Sequence, residues 1–179
     1  MRPFPFLAAA FALGACASAE YRDTSVPIES VARVDLERYA GKWYEIARFP
    51  NWFEEGCAGV TAEYSLRPDG RVDVRNTCFE GGLDGPVEIA QGIARATDDT
   101  NAKLGVKFVQ WLPFEGDYWV LYLDEDYQTV AVGNPGGTTG WILARTPEIT
   151  PDQRAGAMAA LERGGYDTSR LIEVEQPGT

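Results

Sequence analysis

Three cysteines and no histidine bound the chemistry open to this chain of 179 residues. Without histidine there is no Ser-His or Cys-His nucleophile pair, no usual haem ligand, and none of the commonest metal ligand. Carboxylates remain. Glu45 has the most distinctive setting, because strand alternation puts it on the same face as Trp43. A lone inward carboxylate is a candidate acid or base, but no nucleophile–base pair, cofactor motif or metal-ligand spacing accompanies it. The chain is therefore expected to bind rather than to catalyse, with no cofactor and no metal.

Cys57 and Cys78 flank a hairpin. Ala58, Val60, Ala62, Tyr64 and Leu66 alternate with Thr61, Glu63 and Ser65, which describes a strand with one apolar face. Pro68-Asp69-Gly70 is a turn, and Val72, Val74, Asn76 and Cys78 then alternate with Arg71, Asp73 and Arg75. The register of that turn brings Cys57 opposite Cys78 to within one residue, the width of a bulge. Register and an exported setting together favour a disulfide over two reduced buried thiols. The bridge would close a loop of roughly twenty residues, worth about 3 kcal/mol in the loop-entropy model.

The third cysteine has a different context. Met1-Arg2 supplies one positive charge, Phe4 to Ala12 is nearly continuous apolar sequence, and Leu13-Gly14-Ala15 precedes Cys16. This layout is a secretory signal too short to span a bilayer. The small pair before Cys16 resembles the bacterial lipobox, in which the peptidase cuts before a cysteine that carries lipid. Residues 1–15 are expected to be a signal peptide, and 16–34, mixed and without period, a flexible tether. Residues 35–179 form the folded domain. Ala17 after the cysteine resembles the outer-membrane address of such lipoproteins, with the domain facing the periplasm.

The chain is 45% hydrophobic and 12% aromatic, enough for a sizeable core. Its net charge of -11, with no basic cluster, argues against a nucleic-acid partner. Beyond the hairpin, residues 87–96 read as a weaker strand of ambiguous parity. Leu104, Val106 and Phe108 alternate with Lys103, Gly105 and Lys107. Tyr118 to Leu123 is apolar on both faces, so that strand is central. Gln128 to Val132 and Gly140 to Arg145 surround an Asn134-Pro135-Gly136-Gly137 turn. About eight short strands at hairpin spacing argue for a sandwich or an up-and-down barrel. Thr150 as N-cap, Pro151 at N1 and Gln153 at N3 then open one helix. Ala155, Met158, Ala159 and Leu161 supply its apolar stripe, and Gly164-Gly165 stops it.

Three segments carry a resemblance: Gly41-x-Trp43-Tyr44-Glu45, Tyr118 to Asp124 with Tyr127, and Trp141 to Pro147 with Arg145. From about Asp35 onward the chain resembles the lipocalin family, in its bacterial lipoprotein branch, similar to apolipoprotein D. The resemblance implies an all-β fold: an eight-stranded antiparallel up-and-down barrel with one C-terminal α-helix packed outside. It also implies that Trp43 lies across the barrel floor with the Arg145 guanidinium over it, a structural pair. Alternation then turns Tyr64, Asn76, Val106, Phe108, Trp141 and Leu143 inward, with Tyr118 and Tyr122 added from the two-faced strand. The expected function is to hold a fatty acid or lysophospholipid in the barrel, for storage or transport at the envelope. Ten buried methylenes would contribute roughly 8 kcal/mol before ordering costs. No basic residue is evident on the inward faces, so a head group is expected at the mouth, near Arg75, Trp52 or Phe53. A lipocalin-fold isomerase or hydrolase, and a structural lipoprotein with a filled barrel, are the alternatives. The oligomeric state is open, a dimer being one option.

Overall fold

A computed structural model describes residues 20–111 and 113–178; the expected signal peptide, Cys16 and Leu112 lie outside the described residues. Eight strands run in order: β1 (Gly41–Arg48), β2 (Cys57–Leu66), β3 (Val72–Glu80), β4 (Val87–Ala96), β5 (Lys103–Lys107), β6 (Gly116–Leu123), β7 (Thr129–Gly133) and β8 (Gly140–Ala144). Each pairs antiparallel with the next, and β8 pairs back onto β1. The sheet therefore closes into a barrel and leaves no long free edge. A two-residue strand, β9 (Ile172–Glu173), adds to the outer side of β1.

Closure sorts the side chains into two cores. Trp43, Tyr64, Val72, Val74, Ala94, Leu104, Val120, Val130 and Leu143 meet inside the barrel. Ile46, Ala47, Phe49, Leu121, Ala131 and Ile142 face outward and are covered by the helix α2 (Pro151–Arg163) and by Tyr21 and Tyr166. The Thr150–Gln153 capping box forms as the sequence suggests, each side chain satisfying the other's backbone N–H. The buried helix positions are Ala157, Ala160 and Leu161, while Ala155 of the expected stripe is exposed. Small residues dominate this face because the helix lies close to the sheet: a Cβ at Gly156 would sit 2.7 Å from the Tyr122 hydroxyl.

Two bulges reset the alternation. Pairing of β1 with β8 slips between Glu45 and Ala47, and pairing of β6 with β7 slips between Val120 and Tyr122. An extra residue in one strand turns everything beyond it to the other face. A third irregularity lies in β2 between Ala58 and Thr61. Gln176 Nε2 donates to the Glu45 carbonyl at 2.7 Å and to the Val60 carbonyl at 2.9 Å, so one amide serves backbone groups at two bulges.

One end of the barrel is closed. The short helix α1 (Leu36–Tyr39), capped by Asp35, lies under it. The Arg145 guanidinium carbon stands 3.9 Å from the Trp43 ring centroid. Its nitrogens donate to the carbonyls of Arg38, Tyr39, Lys42 and Tyr127. Gly41 is required here on two counts: its φ is +96°, and a Cβ would come within 3.3 Å of Arg145 Nη1. The Gly-x-Trp segment is thus the seat of the plug.

Residues 20–34, read in the sequence as a flexible tether, are instead bound along the barrel wall. Tyr21 N–H donates to the Gly137 carbonyl in the β7–β8 loop, Val31 N–H to Val120, and Val34 N–H to Thr100. Arg22 is buried and donates to the carbonyls of Val26, Pro135 and Gly164, the last at the C-terminal end of α2. The segment descends from the open end of the barrel to its floor. Backbone hydrogen bonds and Arg22 hold it, and Tyr21, Ile28, Val31 and Val34 pack into the two cores at irregular spacing, so it carries no hydrophobic period. Both cores, the closed sheet and the disulfide lie within residues 20–178.

Candidate functional site

Inside the barrel the inner-face residues near the floor are buried, and those nearer the mouth, Asn76, Ala90 and Trp141, are half-buried or exposed. A ladder of phenols marks the boundary. The Tyr39 and Tyr118 hydroxyls are 2.6 Å apart, and Tyr64 and Tyr118 are 3.1 Å apart. Burial holds the Tyr39 and Tyr118 hydroxyls well above the usual phenol range, and pushes Tyr64 up to about 12. They are neutral donors and acceptors at the bottom of a cup.

Above them one wall is lined by small side chains. Asn76 is paired across the strands with Ala62 and Ala90, and Val74 with Gly92, so all of these share the inner face. Ala90 stays exposed although it projects inward, because β5 pairs with β4 only from Ile93 to Ala96 and the β3–β4 hairpin rises beyond it. The buried Asn76 Oδ1 has no hydrogen-bond partner. An orphaned acceptor costs on the order of 1–3 kcal/mol unless something donates to it.

The opposite wall carries charge. Arg48 lies across from Trp141 on the inner face. Its Nη1 donates to Glu45 Oε1 at 2.8 Å, and its Nη2 to the carbonyls of Glu54 and Cys57. Trp141 Nε1 donates to Glu54 Oε2 at 3.0 Å. Burial first, then the neighbouring Glu54, push the Glu45 carboxyl well above the usual carboxylate range; Arg48 only partly offsets them. This corrects the expectation of an inner wall without basic residues. Simple alternation from Trp43 sends Arg48 outward, but the Glu45/Ala47 bulge turns it in and sends Ala47 out to the helix side. The run Ile46-Ala47-Arg48-Phe49 carried that signal: two adjacent apolar residues before a charge suit a bulged strand.

Tyr64, Asn76, Val106, Tyr118, Trp141 and Leu143 line the inside. Phe108 follows the end of β5 at the rim, 43% exposed, its ring against the position where a Gly92 side chain would be. Tyr122 is misplaced by the sequence reading. The Val120/Tyr122 bulge turns it outward, under Gly156 of α2, while Tyr118 stays in. Arg75, considered for a head group, pairs with Glu63 on the outer wall. A cleft of about 700 Å³ lies on that wall, and another of about 520 Å³ beneath α1. The Cys57–Cys78 disulfide is formed at the mouth, with Cα atoms 5.3 Å apart. It ties the β1–β2 loop, which carries Trp52 and Phe53, to β3.

A barrel of eight strands, plugged at one end, with an apolar inner wall and a few polar groups, is the class of fold that encloses one small hydrophobic ligand. The lipocalin-like domain profile matches residues 34–176, and the chain belongs to that family. It is 40% identical over 184 residues to the outer membrane lipoprotein Blc of Escherichia coli K12, covering 100% of both chains. It is 36% identical over 151 residues to apolipoprotein D of Bos taurus, covering 79% of this chain and 74% of that one. Insecticyanin from Manduca sexta superposes with a TM-score of 0.68 over 85% of this chain and 86% of its own, at 21% identity; that likeness concerns the fold.

Proposed function

We propose that the chain is a membrane-anchored carrier that holds one single-chain lipid, a fatty acid or lysophospholipid, with its tail on the apolar inner wall. The observation that carries this reading is the cup itself, where a polar acceptor, Asn76 Oδ1, waits unpartnered among Ala62, Ala90 and Gly92. A glycerol hydroxyl or a protonated carboxyl supplies the donor that it lacks. Three of the five N–H groups of Arg48 already go to the Glu45 carboxyl and to the carbonyls of Glu54 and Cys57, so its guanidinium is largely engaged within the wall. That balance favours a neutral or zwitterionic head over a fatty-acid anion. An anchor at Cys16 would hold the domain at the outer membrane, in keeping with the relatives named as outer membrane lipoproteins. There the chain stores or moves lipid released during envelope upkeep.

The test is to express residues 17–179, extract the purified protein, and identify bound lipid by mass spectrometry. Fluorescent fatty acids and lysolipids are then titrated. Co-purified acyl chains and micromolar or tighter binding are expected, with Trp141→Ala weakening it by about tenfold and leaving the fold intact. Failure of both lipid classes to bind refutes the reading.

A further inference from the structure

The two ends of the barrel carry opposite surfaces. Among the described residues ten large apolar side chains are exposed, and eight of them sit at the mouth: Trp52, Phe53, Val87, Ile89, Phe108, Val109, Trp111 and Phe114. The other two are Leu66 at the floor end and Ile172 on the side. The aromatics are not scattered. Trp52 (85% exposed) and Phe53 occupy the β1–β2 loop; Trp111 (83%) and Phe114 (75%) occupy the β5–β6 loop. In the strand order these loops lie on opposite sides of the opening. Leaving four aromatic rings in water is costly, and a soluble monomer rarely shows such a rim without a use for it.

The chain's own start points the same way. Tyr21 is fixed to Gly137 in a loop at the mouth, with its hydroxyl on the Pro50 carbonyl, and the Glu20 carbonyl accepts from Arg170. Cys16 lies five residues upstream of Tyr21, a stretch that reaches at most about 18 Å. Tilted strands of 8 to 10 residues stand about 20–25 Å tall. A lipid on Cys16 therefore holds the mouth end, not the floor, against its membrane.

We propose that the barrel docks mouth-down on a zwitterionic phospholipid bilayer, with the Trp52/Phe53 and Trp111/Phe114 loops seated in the interface on either side of the opening. The lipid is zwitterionic because the rim charges are acidic: Glu55, Glu80, Asp84, Glu88 and Asp117 are all exposed there, and an anionic surface repels them. Trp and Phe at headgroup depth, without a basic face, are the makings of an interface that uses apolar burial rather than charge. A lipid tail then passes between bilayer and cup without crossing water. The docking pose is separate from the proposed ligand and stands whichever lipid the cup holds.

Nitroxide labels at Trp111→Cys, Phe114→Cys and Leu66→Cys, one at a time, test it in the mature anchored protein on phosphatidylcholine–phosphatidylethanolamine vesicles. Labels at 111 and 114 are expected to meet oxygen and escape a water-soluble nickel complex; the label at 66 should do the reverse. Equal nickel access at all three overturns the pose. So does shielding at 111 and 114 with spin–spin broadening, which would mean that a second copy covers the rim. Independently of the anchor, the chain from Ala17 should partition onto the same vesicles, and Trp111→Glu with Phe114→Glu should weaken this by about tenfold per residue. Partitioning unchanged by both substitutions also overturns it, while solution binding of a lysolipid reports on the cup alone.

Discussion

Replacing Arg48 by methionine separates the charge inside the barrel from the packing around it. Methionine keeps much of the apolar stem and removes the guanidinium. Two carbonyls, of Glu54 and Cys57, lose their donor, at about 1 kcal/mol each. Glu45 loses the cation beside it, but it has an escape, because it can take up a proton. Its ordinary pKa is 4.5, so holding that proton costs about 1.4 kcal/mol per pH unit above it, or roughly 3 kcal/mol at pH 7. The sign follows from linkage. A carboxyl raised in the folded state binds a proton that the unfolded chain has released, so stability is greatest below 4.5 and declines as pH rises toward the folded-state value. Arg48 limits that decline in the native protein, and in the variant it continues to higher pH. The gap between native and Arg48→Met is therefore about 2 kcal/mol at pH 4.5, from the two stranded carbonyls, and widens only above the native folded-state value, where native Glu45 has ionised and that of the variant still holds its proton. Urea midpoints for both proteins across this span measure it. A gap below about 1 kcal/mol throughout, or one that narrows as pH rises, would refute the assigned roles of Arg48 and Glu45.

The phenol ladder gives an alkaline counterpart: raised phenols lend stability that is full below pH 10 and is lost between there and about 12, roughly 3 kcal/mol for Tyr64 alone. Phenolate absorbance should rise together with loss of circular dichroism, and buried tyrosines ionising in an intact barrel would contradict it. Removing the disulfide with Cys57→Ser and Cys78→Ser should lower stability by about 3 kcal/mol in denaturant titrations, and an unchanged midpoint would show the loop to be held by other contacts. Tyr122→Ala should cost about 3 kcal/mol by undermining α2 while lysolipid affinity stays the same; a loss of affinity at unchanged stability would put Tyr122 back in the cup.

Much of the barrel was legible because alternation is a two-residue signal that survives in short strands. The 62–66 and 72–78 faces and the Pro68-Asp69-Gly70 turn follow from it directly; the cysteine register does not, because Cys57 pairs with Glu80 and the bulge before Thr61 sets Cys78 diagonally across from it. The Thr150 cap was legible because it is local chemistry. Arg48 and Tyr122 were misread for one reason: a bulge inserts a residue without changing composition, and every side chain past it changes sides. The bound course of residues 20–34 was hidden for another. Its hold comes from backbone hydrogen bonds, from Arg22 and from Tyr21, Ile28, Val31 and Val34 at irregular spacing, and none of these writes a period into the sequence.

The plugged floor has a kinetic consequence. With Arg145 and α1 closing one end, a ligand held in the barrel has a single door. A newcomer cannot push an occupant out from behind; it must wait until the cup empties. Exchange is then set by the departure rate of the resident molecule, whatever the supply outside. A vessel of this kind is a buffer with a memory of its last guest, and cannot act as a pipe.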